Sequence, residues 1–170
     1  MLVRVKLKLR AKPSLYLPFD PVPRTAILTR GFAESSAIRV FPNGWSDWVT
    51  DYSPAVIAAP LYVLRNLSGL APKLALTHAL IALTYDLRYG IQHRDREALW
   101  RAFGVPVFEQ FLDKNNKLLA YECEVHAGLH VVRGCRGLST EMEACACGSN
   151  RPRLVRAREP ARPEVELQPV

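Results

Sequence analysis

The stretch that decides the fold runs from Ser53 to Pro72, "SPAVIAAPLYVLRNLSGLAP", and continues into "LALTHALIAL" from Leu74 to Leu83. Ser53 is a common N-cap residue and proline is common at the first helical position, so the first part predicts a helix. An interior proline breaks or restarts a helix, and Pro60 marks that point. The second part is short, apolar and bounded by turn residues, which indicates a buried strand, although its periodicity also fits a helix.

Signals of the same two kinds extend to both sides of this stretch. Upstream, apolar and basic residues alternate from Val3 to Arg10, which predicts a strand, and a proline-rich segment follows up to residue 23. Short apolar runs between turn residues predict five further strands, at Thr25–Thr29, Ala37–Phe41, Val105–Phe111, Lys117–Cys123 and Gly128–Val132.

A second helix is predicted from Asp95 to Phe103. Its spacing places Leu99, Trp100 and Phe103 on one side, and Gly104 is a favourable residue for ending it. Helices that alternate with buried strands, followed by short strands, predict an α/β fold, with α+β as the alternative. We expect a single layered domain over residues 1–158, with a small metal-binding clasp at 120–150 and a disordered tail at 159–170.

Composition limits the functions that the chain can have. Its 170 residues are 49% apolar, which is enough for an ordinary hydrophobic core. No apolar run reaches the roughly 18 residues of a membrane span, and no signal peptide is evident, so we expect a cytoplasmic protein. The net charge of +7 is concentrated near both ends of the chain. Without interleaved aromatic residues or a known motif, this charge does not favour nucleic-acid binding.

Three of the four cysteines and two of the four histidines fall in two short segments, residues 121–130 and 144–148. A structural zinc site needs four ligands, and two ligands a few residues apart can come from one turn. Cys123 and His126 have that spacing, and Cys145 and Cys147 can supply the second pair, which predicts a Cys₃His zinc site. His130 is the alternative histidine, and Cys135 can replace one cysteine. Buried thiols without a metal, or a reactive thiol, are the other interpretations of the cluster.

Several motifs, in order, resemble the phenylacetate-coenzyme A ligase branch of the adenylate-forming enzymes. They are "FGVPVFEQF" (Phe103 to Phe111), "AYECEVHAGLHV" (Ala120 to Val131) and "CACGSNRPRL" (Cys145 to Leu154), together with the stretch that begins at Ser53. The resemblance covers roughly residues 50–155. It implies a fold like part of the N-terminal region of those enzymes, and a structural zinc at the Cys/His cluster.

The chain departs from that family where the family carries out its chemistry. If Phe111 aligns with the tyrosine of the family's Tyr-Gly-x-Thr/Ser-Glu motif, Asn115 stands in place of the carboxylate that supports magnesium and ATP. A Gly-rich phosphate loop, the ribose-binding segment and the mobile C-terminal domain are also missing from the sequence. The resemblance therefore implies a shortened and degenerate relative rather than a complete ligase.

Three functions follow as expectations. The first is a non-catalytic, zinc-stabilised module that binds a partner protein or a small acyl or aromatic molecule. The second is a component of an acyl-CoA ligase that needs a separate ATP-binding partner. The third is a zinc protein that binds nucleic acid through its basic ends. We expect no catalytic residues under the first function, and the sequence does not predict an oligomeric state.

Overall fold

The structure is a computed structural model, and it describes residues 11–69, 75–135, 138–142 and 144–154. The strand predicted at Val3–Arg10 and the tail at 159–170 lie outside the described residues. Helices α1 to α3 are Asp47–Tyr52, Leu61–Leu67 and His93–Phe103, and a short 3-10 helix covers Leu87–Tyr89. Strands β1 to β9 are Thr25–Ile27, Ile38–Val40, Val56–Pro60, Ala79–Thr84, Val107–Leu112, Leu118–Glu122, Leu129–Val131, Thr140–Glu141 and Arg153–Leu154.

Within these described ranges, nine strands form one mixed sheet in the order β2-β1-β3-β4-β5-β6-β7-β9-β8. The pairs from β2 to β5 are parallel, and the pairs from β5 to β8 are antiparallel. Parallel neighbours need a crossover connection, and α2 and α3 provide the crossovers from β3 to β4 and from β4 to β5. The predicted α/β class is confirmed.

The prediction of a helix over Ser53–Pro72 is wrong in its first half. Val56–Pro60 is a strand that pairs with β1 on one side and with β4 on the other, and all five of its residues are buried. Its β-branched and small side chains suit a central strand covered on both faces. Pro60 then serves as the N-cap of α2, so the proline marks the change from strand to helix rather than a break within one helix.

The strand and the helix predicted after this stretch are both present, but one side chain of the helix lies on a different side than predicted. Residues 79–84 form a fully buried strand, which confirms the strand interpretation. Helix α3 ends at Gly104, whose φ of +67° confirms the predicted C-cap. Leu99 and Phe103 are buried, but Trp100 is 61% exposed and does not share their side of the helix. One residue turns a helix by about 100°, which carries Trp100 away from the face of Leu99.

The two faces of the parallel strands are covered differently. On one face, leucines of α2 and α3 pack against Ile57, Leu80 and Ala82. On the other face, the proline-rich N-terminal segment contributes Leu15, which packs with Ile81 and other strand residues. The antiparallel strands add a smaller cluster of their own, around Phe111, Ala120, Leu129, Val131 and Leu154. In the part of the chain that is described, no helix has the length and apolarity needed to cross a bilayer.

Candidate metal centre

Four side chains from the antiparallel part of the sheet meet below its surface: Cys123, His130, Cys145 and Cys147. One ligand atom from each lies within 4.8 Å of the others. Cys123 directly follows β6, and His130 is the central residue of β7, where it pairs with Arg153 of β9. Because β9 lies beside β7, the chain just before β9 brings both later cysteines next to the histidine.

The turn that carries the later cysteines is closed by its own backbone. The N–H of Gly148 donates to the carbonyl oxygen of Cys145 at 2.9 Å, and Gly148 has a φ of +79°. Glycine adopts this conformation without steric cost, so the turn can bring two thiols together within three residues. The chain therefore bends at Gly148.

The spacing of the ligand atoms fits a tetrahedral zinc ion. With zinc–sulfur bonds of about 2.3 Å, two tetrahedral thiolates lie about 3.8 Å apart, and a thiolate and an imidazole nitrogen lie about 3.6 Å apart. Cys123 Sγ and Cys145 Sγ are 3.7 Å apart, and Cys147 Sγ is 3.4 Å from Nε2 of His130. These two edges match without any movement of the backbone, so the residues present fit zinc.

Burial and backbone hydrogen bonding shift the pKa values of two of the thiols in opposite directions. Burial raises the pKa of the Cys123 thiol to about 11, and the backbone N–H of Val125 acts weakly in the opposite direction. The backbone N–H of Cys147 lowers the pKa of Cys145 below its usual value. Cys123 and Cys145 are in contact, so the two thiols titrate as one coupled pair. A cation at the centre of the cluster would stabilise all three thiolates.

His130 is a fully buried histidine with few polar contacts. Nε2 approaches Cys147, while Nδ1 is buried and has no hydrogen-bond partner among the residues that the structure describes. A buried polar side chain is costly unless it is hydrogen-bonded or binds a metal. A metal ion bound by the cluster would therefore account for the burial of this imidazole.

The sequence analysis preferred His126, and the structure places that side chain outside the cluster. His126 lies in the turn after Cys123 with a φ of +55°, and its ring stacks on Phe108 at a centroid distance of 5.0 Å. Its Nδ1 is 3.2 Å from a carboxylate oxygen of Glu122. His130, the alternative, is the histidine that lies with the three thiols, and β7 pairs it with Tyr121 of β6, two residues before Cys123. Cys135 is not one of the four and packs against the apolar cluster of the antiparallel strands.

A buried ion pair beside the metal centre was missed by the sequence analysis. Nη2 of Arg96 donates to both carboxylate oxygens of Glu122 at 2.8 Å, and the backbone N–H of Glu109 donates to one of them at 2.9 Å. The side chain of Glu122 is only 3% exposed. The sequence contained one signal that Glu122 is buried. Glu122 lies two residues after Ala120 on a predicted strand, so the two side chains share one face of the sheet. The partner of Glu122 is Arg96 on α3, and the spacing of these two residues along the chain does not indicate that they pair.

The segment that the sequence analysis aligned with the Tyr-Gly-x-Thr/Ser-Glu motif runs from the end of β5 into the turn before β6. Here Oδ1 of Asp113 accepts hydrogen bonds from the backbone N–H groups of Asn115 and Lys117, at 2.8 and 2.9 Å. The bond from Lys117 is the main cause that lowers the pKa of Asp113. The side chain of Asn116 bonds to Arg30 and to Tyr85. The carboxylate of Asp113 thus closes the turn, and the amide of Asn116 connects it to two residues outside the turn.

In sequence, no protein-family model and no curated protein matches this chain. In three dimensions, it superposes on a solved structure of 2-hydroxyisobutyryl-CoA ligase, which is in an open conformation with 2-HIB-AMP and CoA. The fold is shared with an acyl-CoA ligase. The TM-score is 0.56 at 14% sequence identity, and the match covers 79% of this chain and 44% of the ligase chain. The chain therefore spans less than half of that ligase, and the likeness shows the fold alone.

Proposed function

We propose that this chain is a zinc-stabilised, non-catalytic binding module, derived from the phenylacetate-CoA ligase branch of the adenylate-forming enzymes. The observation that carries the proposal is the cluster of Cys123, His130, Cys145 and Cys147, whose ligand atoms lie within 4.8 Å of one another. Three thiolates and one imidazole form a donor set that zinc prefers. With four protein ligands, no position is left open for a substrate, which is typical of a structural site.

The position of the cluster indicates what the metal would do. Strands β8 and β9 have only two residues each, and β9 pairs with β7 at a single position, His130 and Arg153. Such short strands contribute little stability of their own. A metal that binds Cys123, next to β6, and Cys145 and Cys147, before β9, would hold this end of the sheet together. The module would then present its sheet and pockets to a partner protein or to a small acyl or aromatic ligand.

The turn after β5 supports the non-catalytic part of the proposal. Adenylate formation requires positioned phosphates and a metal-binding carboxylate that act together. Asn115, at the position aligned with the family's carboxylate, carries no charge. The carboxylate of Asp113, two residues earlier, accepts hydrogen bonds from two backbone N–H groups of its own turn. A second candidate is a ligase component completed by a separate ATP-binding chain, and the fold that this chain shares with part of an acyl-CoA ligase supports it.

Metal analysis together with an adenylation assay tests the proposal. We expect one zinc ion per purified chain, and we expect its removal by a strong chelator to lower the thermal unfolding temperature. A chain that contains no metal, and whose melting does not respond to added zinc, would contradict the structural zinc. Pyrophosphate release that depends on a carboxylic acid and ATP would contradict the non-catalytic function, and release only after addition of a second chain would establish the ligase component instead.

A further inference from the structure

A pocket of about 430 Å³ lies at the opposite end of the sheet from the metal centre, beside the edge strand β2. It opens between α1 and the amino ends of β1 and β2. Its volume falls in the range of small-molecule sites. Six residues line it: Arg24, Ser36, Arg39, Trp48, Asp51 and Tyr52.

Two arginines of this pocket share one tyrosine ring. The guanidinium carbons of Arg24 and Arg39 lie 4.8 and 5.0 Å from the ring centroid of Tyr52. Across the described ranges of the chain, neither guanidinium forms an ion pair with a carboxylate. Both guanidiniums line the pocket, and an anion bound there would offset the repulsion between these two like charges.

Arg24 and the ring of Tyr52 are held in place before any ligand arrives. The hydroxyl of Tyr52 donates to the carbonyl oxygen of Ala37 at 2.9 Å, and Arg24 donates to the carbonyl oxygen of Tyr52. The carbonyl oxygen of Arg24 itself accepts from the backbone N–H groups of Ala55 and Val56. Side chains positioned in this way lose less conformational entropy on binding than free surface arginines do.

The exposed Trp48 adds a flat surface to the same pocket. It lies four residues before Tyr52 in α1, so both rings occupy one side of that helix. Its side chain is 76% exposed, which is unusual for a tryptophan. Exposed aromatic rings beside arginines are suited to stacking on a planar ring while the guanidinium groups bind phosphate oxygens.

We propose that this pocket binds a phosphate monoester that carries a planar ring, with the phosphate at Arg24 and Arg39 and the ring on Trp48. A nucleoside monophosphate is the simplest compound with both parts. This site does not depend on the metal centre, since no residue is common to the two. Asp51 also lines the pocket and opposes the binding of an anion, so its charge tunes the affinity.

Isothermal titration of the full chain with AMP, adenosine and inorganic phosphate tests the proposal. We expect AMP to bind with a Kd of about 0.1–1 mM, and adenosine and inorganic phosphate to bind at least about tenfold more weakly. Arg39→Gln should weaken AMP binding by about tenfold, and Trp48→Ala should reduce it to the affinity for inorganic phosphate. Asp51→Asn should strengthen it by about two- to fivefold, as expected for the loss of one exposed like charge.

The matched control is Arg101→Gln, because Arg101 is another exposed arginine but lies on α3, outside the pocket. It should leave AMP binding unchanged, and circular dichroism should show that each variant remains folded. AMP binding that survives Arg39→Gln would place the ligand elsewhere on the molecule and overturn the proposal. Absence of AMP binding at about 10 mM would overturn it as well.

Discussion

Replacement of His130 separates the two histidines that can complete the Cys₃His site. Structural zinc in small domains is bound by about 10–16 kcal/mol, so one ligand of four corresponds to about 2.5–4 kcal/mol. At about 1.4 kcal/mol per factor of ten, His130→Gln should weaken zinc binding by about 10²- to 10³-fold. His126→Ala should change zinc affinity by less than about twofold, since that ring contacts Glu122 and Phe108 rather than the thiols.

Competition with a chromophoric zinc chelator measures both affinities, and it reports metal binding separately from folding. His126→Ala is a close control, because it removes the same kind of side chain four positions away. If His126→Ala bound zinc weakly and His130→Gln bound it tightly, the reasoning from strand register would be refuted. The ligand set predicted from sequence spacing, with His126, would then be correct. Equal zinc affinity in all three proteins would mean that neither histidine is a ligand.

Three further predictions concern stability. Arg96→Met leaves the buried Glu122 carboxylate without its bidentate partner, so the free energy of unfolding in urea should fall by about 3–5 kcal/mol. Burial acts to raise the pKa of Asp95, but hydrogen bonds led by that from Arg65 outweigh it and leave the pKa lowered. The carboxylate therefore stabilises the fold above its unfolded pKa, and the deficit of Asp95→Asn should shrink as the pH falls below about 4. Gly104→Ala should cost about 1 kcal/mol in thermal or urea unfolding, because alanine is disfavoured at a φ of +67°.

Each of these predictions has its own control. Arg101→Met, at an exposed site on the same helix as Arg96, should change the unfolding free energy by less than about 0.5 kcal/mol, and equal losses would contradict a role for the buried pair. A deficit of Asp95→Asn that stays constant with pH would show that the carboxylate charge contributes nothing. A Cβ at Gly104 meets no atom within 4 Å, so the cost of a substitution there comes from the backbone conformation rather than from a clash. Asparagine adopts this conformation more readily than alanine, so Gly104→Asn should lose less stability than Gly104→Ala. A larger loss in Gly104→Asn would contradict this explanation.

Local patterns in the sequence were sufficient for much of the fold. The strands at Lys117–Cys123 and Gly128–Val132 and the end of a helix at Gly104 were predicted and are present. Each depends on a signal contained within a few residues, such as alternation or a cap. The mixed α/β class followed from the order of these elements. The grouping of three cysteines near the C-terminal side of the chain was also visible, because the cysteines lie close together along it.

Partners that are distant in sequence were decided only by the tertiary structure. Val56–Pro60 is a strand because β1 and β4 are available on its two sides, and a short apolar run carries no sign of neighbours that far along the chain. His130 lies with the thiols because the register of β6 with β7 pairs it with Tyr121, two residues before Cys123, whereas His126 lies in the turn between the two strands. Spacing along a chain measures how close two residues can be, whereas strand pairing determines which of them meet.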